Sequence, residues 1–527
     1  MRTIYQFISD SYEKNKESDA IILPHHEQGE TETKYCNVSY TQLIADSITV
    51  SNKLTNSGLV KGDVVSIVAI NGYSILSTFF GVTFGKFIAA PLNSTYTVEE
   101  FKFYLEDMGA KLVFIQSGLK AAVDAANELG IKVWELKELP NYETHKMTYS
   151  LDGQVIGNDQ SVTSIPLESQ PQENDVALFL HTSGTTSKPK GVPLRHKNIA
   201  VSSSNIATTF HLSPQHRSMV VMPLFHVHGL IGVTMSTFFA GGSLVVPLRF
   251  SASTFWSDVK QFNVNWYSAV PTIHQILLSM EKNETASPHK GLLHFIRSCS
   301  SSLAPTLFES LENCFGCPVV ESYGMTEACH QMSSNLLPID GKRIPGSVGK
   351  GTNVQVGTAN DNGDLLKQGE VGEICIKGDN VFDGYHNNPT ATAENFTKDG
   401  WFLTGDIGSI DEDGFITLKG RKKEIINRGG EKISPLEVDN VLLENESIAE
   451  AVCFGVPDTK YGEEIWAAVI PKPSCPELTE EDVKKFLATK IVGFKIPKKI
   501  FVTQHFPKTS TGKIQRRNIS SYFLNLK

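Results

Sequence analysis

The chain has 527 residues, a formal net charge of −9 from 48 basic and 57 acidic residues, and hydrophobic and charged fractions of 40% and 20%. That length exceeds one ordinary core and predicts roughly two to four domains, while the acidic balance argues against broad nucleic-acid binding. Eight cysteines over such a length exclude a disulfide-stapled scaffold; Cys314 and Cys317 form a C-x-x-C, but no second pair or histidine stands at zinc spacing, so reduced thiols are expected.

Along the chain, Met1 to Ile8 lacks the apolar core of a signal peptide. Two segments are apolar enough to compare with membrane spans. Val64 to Gly85 is interrupted by Asn71-Gly72, and Gly229 to Leu248 by Gly241-Gly242 and Pro247. Both read as buried strand–turn–helix or helix–turn–strand units, and no membrane span is expected. Short apolar runs predict strands at 64–70, 111–115, 176–180, 218–222, 243–247 and 295–299. Helical patterns stand between them at 98–108, 119–129 and 254–262, an alternation that implies mainly parallel sheets covered by helices. From about residue 341 glycines multiply and strands shorten, which predicts a small twisted β-subdomain or barrel over about 341–420. Beyond it, 434–443 and 479–487 read as helices, and 449–456 and 464–470 as strands. The fold class predicted is therefore α/β: a large N-terminal domain (1–420) of helix-covered β-sheets with a small β-barrel subdomain, a boundary at 421–423, and a small α+β C-terminal domain (424–527), which the resemblance drawn below makes mobile about a hinge at that boundary.

The densest chemistry follows the apolar run Val176 to Leu180. His181-Thr182-Ser183-Gly184-Thr185-Thr186-Ser187-Lys188-Pro189-Lys190-Gly191 combines hydroxyls, two glycines and two lysines, the groups that cradle a polyphosphate. It is not the mononucleotide P-loop, because Pro189 breaks the G-x-x-x-x-G-K spacing; a solvated Ser/Thr-rich turn would have the same composition. Five more segments complement it. Glu321-Ser322-Tyr323-Gly324-Met325-Thr326-Glu327 offers an aromatic face for a base, a hydroxyl, and a carboxylate for a phosphate-bound Mg²⁺, or equally a capped strand-to-helix turn. Thr404-Gly405-Asp406 places an acid at a strand end, where it suits ribose hydroxyls or a plain β-turn. Gly420-Arg421-Lys422-Lys423-Glu424 is a basic boundary segment, and Gly429-Gly430 permits close backbone approach. Lys508-Thr509-Ser510-Thr511-Gly512-Lys513-Ile514 sets a lysine in a Gly/Thr-rich loop.

In this order, T-S-G-T-T-x-K-P-K-G, Y-G-M-T-E, T-G-D, G-R-K-K-E and T-x-T-G-K-I resemble the adenylate-forming superfamily of acyl-CoA synthetases, adenylation domains and firefly-type luciferases, across nearly the whole chain. The resemblance implies a two-domain AMP-binding enzyme that joins an acid to ATP as an acyl-adenylate and then passes the acyl group to a thiol. ATP, Mg²⁺ and CoA are the implied co-substrates. It assigns Thr182, Ser183, Gly184, Thr185, Thr186 and Lys190 to the phosphates, and Glu321, Ser322, Tyr323 and Gly324 to the nucleotide, with Tyr323 stacked on adenine. Thr326 would touch the α-phosphate and Glu327 bind Mg²⁺, Asp406 would hold the ribose, and Arg421 would assist. Lys513 would serve the adenylation transition state, Lys423 fill the hinge position, and Gly429 and Gly430 line the CoA tunnel.

For the acid, amino-acid-activating relatives carry an Asp where this chain has Phe225-His226-Val227-His228-Gly229. His226, His228, Ser300 and His330 are expected to converge on the acyl end, where imidazoles and hydroxyls suit a short polar acid or a second carboxylate better than an alkyl tail. Taken with Trp266 to Gln275, Ile296 to Ser300, Ala328 to Asn335 and Ile426 to Pro435, these segments look most like the oxalate–CoA ligases of plants and fungi. A 4-coumarate-like or medium-chain acyl-CoA ligase is the alternative within the enzyme class, and a catalytically silent nucleotide-binding or RNA-associated scaffold the alternative outside it. Expected partners are the small carboxylic acid, ATP and CoA, without nucleic acid. The end Asn525-Leu526-Lys527 is not the peroxisomal S-K-L, so a cytoplasmic rather than peroxisomal location is expected. Oligomeric state is not legible.

Overall fold

A computed structural model describes every residue except 1, 28–32, 183–188, 282–286, 509–513 and 526–527. Two parallel runs of strands dominate the first 325 residues. In one, the order is Lys132–Asn141, Ala110–Gln116, Val64–Val68, Ile88–Leu92 and Val176–Thr182. In the other it is Asp19–His25, Ser243–Val245, Arg217–Met219, Trp266–Ala269, Phe295–Ser298 and Val319–Met325. Strands buried on both faces need no alternation, which is why Val64–Val68 and Trp266–Ala269 are buried throughout.

Helices fill the space around these sheets. Tyr73–Phe84 is buried at every position, and Tyr40–Asn56 packs across it so closely that a Cβ on Gly81 would lie 2.5 Å from Val50. The helix Val98–Asp107 begins at a reciprocal capping box between Thr97 and Glu100.

The apolar segment after Phe225 is more unusual than its sequence suggests. His228–Met235 is a π-helix, continued by the α-helical turn Ser236–Phe239. Its wider winding belongs to the class of distortion that accompanies functional sites. Among the described residues, no helix is long and apolar enough to cross a membrane.

Several boundaries shift from those expected. The strand at 64–70 ends at Val68, and the Ile70 amide bonds the Gln116 side chain at 2.9 Å instead of a neighbouring strand. The strand at 218–222 stops at Met219, ahead of Pro223, which has no amide to offer a ladder. The strand at 243–247 stops at Val245, ahead of Pro247. None of the eight cysteines is in a disulfide, and seven of them are buried.

Residues 355–421 form a four-stranded antiparallel meander of Gln355–Ala359, Gly372–Lys377, Phe402–Ile410 and Ile416–Arg421. The tail has apolar clusters of its own, one centred on Ile433, Val438, Ile465 and Leu487. There the antiparallel pair Ile448–Asp458 and Gly462–Pro471 is flanked by the helices Pro435–Leu443, Glu480–Ala488 and Arg516–Leu524. Tail and body meet where Gln275 donates to the Ala449 carbonyl at 3.2 Å and Ser434 to the Lys419 carbonyl.

Candidate active site

The hairpin Val319–Met325 and His330–Ser334 carries most of the site. A tight crossing shapes it: a Cβ on Gly324 would fall 1.8 Å from the His330 carbonyl oxygen, so only glycine fits. The turn between the strands is the 3₁₀ helix Thr326–Ala328, closed by Cys329 and His330 at φ +49° and +95°. Two non-glycine residues in succession at positive φ cost conformational energy that the surrounding packing has to offset, a pattern concentrated at working sites.

One side of the hairpin gathers a cation–carboxylate group. The Tyr323 hydroxyl donates to the Asp406 carboxylate, and Arg421 Nε meets the same carboxylate at 2.8 Å. Burial raises the Asp406 carboxyl, and Arg421 and Tyr323 oppose that rise. Close by in sequence, Glu327 is buried and accepts from the Tyr385 hydroxyl at 2.8 Å. Lys190 Nζ lies over the Tyr385 ring at 4.4 Å. Burial raises Glu327 too, against the pull of its own backbone amide, Tyr385, Arg421 and Lys190. Thr182 and Lys190 face each other across an antiparallel pair. The loop between them, with Ser183, Gly184, Thr185 and Thr186, lies outside the described residues, as does Lys513.

The other side is a buried polar cluster. His228 Nε2 is 2.7 Å from Ser268 Oγ, and His228 Nδ1 is 3.0 Å from Ser300 Oγ. The His228 and His330 rings meet edge to face with centroids 5.0 Å apart. Ser300 is itself at φ +72°. His226 is half-buried and joins through the His228 amide, which donates to its Nδ1 at 3.2 Å. Three of the four expected acid-end residues thus share one cluster, and His226 stands at its edge.

Two assigned side chains are engaged internally. Glu321 Oε1 accepts from the Leu303 amide at 2.9 Å, and burial pushes this carboxyl up to about 8. Ser322 Oγ binds Arg297 at 3.1 Å and Ser334 at 2.8 Å. A ligand on the Tyr323 side would therefore meet Ser322 through its backbone. Gly429 and Gly430, at φ +62° and +97°, form the turn of a tail hairpin, and their amides bond Tyr461 and Asn427. Lys423 is exposed in the turn after Arg421.

Residues 11–386 match the AMP-binding enzyme family, and residues 437–513 match the AMP-binding enzyme C-terminal domain. The chain belongs to the AMP-binding enzyme family. Among curated relatives it is 49% identical over 481 residues to a "Probable CoA ligase CCL9" of Humulus lupulus, covering 89% of each chain. It is 46% identical to an "Oxalate--CoA ligase" of Arabidopsis thaliana, covering 90% of this chain and 91% of the relative. An "Oxalate--CoA ligase" of Saccharomyces cerevisiae is 44% identical, covering 96% and 94%. The fold is similar to the ATP-bound crystal structure of MatB from Rhodopseudomonas palustris, with a TM-score of 0.86, 26% identity and full coverage of both chains.

AMP-binding enzymes that ligate acids to CoA use ATP, Mg²⁺ and CoA, and the residues present fit that requirement. Among the described residues, no group of three or more His, Cys, Asp or Glu side chains could cage a metal. A Mg²⁺ at Glu327 would draw its other ligands from phosphate oxygens and water, as this ion usually does. The sequence reading missed three participants in this AMP-binding enzyme's site. Tyr385 is 58 residues from the Glu327 it bonds; Ser268 and Arg297 sit inside strands whose texture is that of a core.

Proposed function

We propose that the chain ligates oxalate to CoA through an oxalyl-adenylate. The observation that carries this reading is the polar cluster in which His228 meets Ser268, Ser300 and His330. A short acid rich in oxygen satisfies such a cluster, and an alkyl chain leaves its donors unpaired. Two relatives named oxalate–CoA ligases, at 46% and 44% identity, support it.

In the first step an oxalate oxygen attacks the α-phosphorus of ATP, the bond to the β-phosphate breaks, and pyrophosphate leaves. The barrier is an anion approaching a polyanion, roughly 4 kcal/mol per unit charge pair at about 4 Å and an effective dielectric near 20. Lys190, Arg421 and Lys513 supply positive charge against it, and Glu327 would hold a Mg²⁺ whose charge would offset that of the phosphate oxygens. Thr182 to Thr186 hold the β- and γ-phosphates, Thr326 the α-phosphate, Tyr323 the adenine and Asp406 the ribose hydroxyls. In the second step the CoA thiol gives up its proton, its sulfur attacks the oxalyl carbonyl, and AMP leaves. The tail turns at Lys423 to bring Gly429 and Gly430 beside the thiol.

A pyrophosphate-release panel of acids, run with and without CoA, tests this. Release should be highest with oxalate, and oxalyl-CoA and AMP should appear only when CoA is present. A maximum with a medium-chain or cinnamic acid would replace oxalate with the alternative ligase activity, and no pyrophosphate release with any acid would point to a silent scaffold.

A further inference from the structure

Arg297 lies in the strand Phe295–Ser298 with no exposed surface. The parallel register sets it directly beside Ser268, and it places Ser322 two residues beyond its other partner, Val320, on the same face. The guanidinium donates to Ser322 Oγ at 3.1 Å, Ser268 Oγ at 3.1 Å, Gln331 Oε1 at 2.9 Å and His330 Nδ1 at 3.4 Å. It also lies over the Phe210 ring, 5.7 Å away. All these partners are neutral acceptors. Among the described residues no carboxylate pairs with this cation, whereas the half-buried Arg516 of the tail is paired with both Asp439 and Glu424. Taking a guanidinium out of water without an anion costs several kcal/mol.

The direction of its hydrogen bonds matters as much as its charge. A guanidinium only donates, so His330 Nδ1 is an acceptor and the ring proton sits on Nε2. Ser268 accepts from Arg297, which leaves its own proton for His228 Nε2. His228 then carries its proton on Nδ1 and donates it to Ser300. The Ser300 hydroxyl proton is left to point outward. Both branches from Arg297 therefore end in donors, the Ser300 O–H and the His330 Nε2–H, the latter buried against Gly232 of the π-helix, and both are backed by one cation without a carboxylate partner.

We infer that Arg297 is the positioning residue that makes this acid end select a second carboxylate, orienting Ser300 and His330 as donors and lacking a counter-ion until a dicarboxylate arrives. This rests on the oxalate reading and adds the group that would enforce it. The test measures kcat and KM for oxalate, for the monocarboxylate glyoxylate and for ATP in wild type, Arg297→Lys, Arg297→Met and Ser268→Ala. In Arg297→Met, KM for oxalate should rise about 100-fold, as when one partner of a buried charge pair is removed, with KM for ATP within about twofold. The oxalate-to-glyoxylate ratio of kcat/KM should fall with it. Arg297→Lys keeps the charge without the fork and should recover about tenfold. Ser268→Ala breaks one relay while sparing the cation. It should raise KM for oxalate about tenfold, so the inference can be tested even if Arg297→Met does not fold. Equal losses for oxalate, glyoxylate and ATP, or an unchanged KM for oxalate in Arg297→Met or Ser268→Ala, would overturn the role of Arg297 while leaving the oxalate activity standing. A wild type that turns over no oxalate sinks the oxalate reading and this inference with it.

Discussion

His330 shows how much chemistry a single strained residue concentrates. It is held at φ +95°, its carbonyl crosses Gly324, and its ring meets both His228 and Arg297. His330→Ala should raise KM for oxalate about 30-fold, the cost of a lost hydrogen bond to a charged group, while KM for ATP moves little; initial-rate kinetics with each substrate varied would check this. Glu321 gives a different, pH-linked prediction. Its folded value, about 8, lies above the ordinary 4.5, so the folded state holds a proton that the unfolded chain has released between those values. Its stabilising contribution is complete below about pH 4.5 and is lost as pH rises through 8, at up to about 1.4 kcal/mol per pH unit. Glu321→Gln mimics the protonated form. It should leave Tm nearly unchanged at pH 5 and raise it relative to wild type at pH 8.5, in thermal melts across that range. His228, Ser300 and His330 were legible because imidazoles and hydroxyls stand out where relatives are apolar. Arg297 and Ser268 were not, because a residue between Ile296 and Ser298 in a buried strand looks like part of that strand until register shows what it faces.

At the scale of elements, the π-helix His228–Met235 places His228 and Gly232 one turn apart against the His330 ring. A Cβ on Gly232 would lie 2.6 Å from His330 Nε2. The obstructing atom is the far end of a side chain, so the ring gives way rather than the backbone. Gly232→Ala should therefore keep Tm within about 3 °C yet raise KM for oxalate about tenfold, a split that kinetics and thermal melts together would detect. Most elements were readable from apolar runs: the helices read at 434–443 and 479–487 are Pro435–Leu443 and Glu480–Ala488, each starting one residue later because Ser434 and Thr479 serve as N-caps. Strand ends were less so: past Val68 the Ile70 amide turns to the Gln116 side chain, an event with no hydrophobic signature. The π-helical winding was not legible at all, since an extra residue per turn leaves a uniformly apolar segment unchanged in pattern.

At the scale of the whole molecule, the proposed chemistry divides between body and tail. Lys513→Ala should abolish oxalate-dependent pyrophosphate release by about 100-fold or more while sparing transfer to CoA from supplied oxalyl-adenylate; equal loss of both half-reactions would deny Lys513 its separate role. The tail's other basic residues are largely occupied. Lys495 pairs with Glu437 at 2.6 Å, Lys498 with Asp458 at 3.4 Å, and Lys499 lies over the Phe501 ring, which fits a solvated face better than a phosphate site. Arg516 differs from them. It bonds the Cys453 carbonyl, meets Asp439 at 2.6 Å and reaches Glu424 at 3.2 Å, one residue past Lys423. The segment after the proposed pivot and the helix that begins at Arg516 are thereby clamped to the same strand and helix. Under the proposed rotation at Lys423, Glu424 and Arg516 would turn as one piece with that strand and helix, as a key turns its bit with its bow.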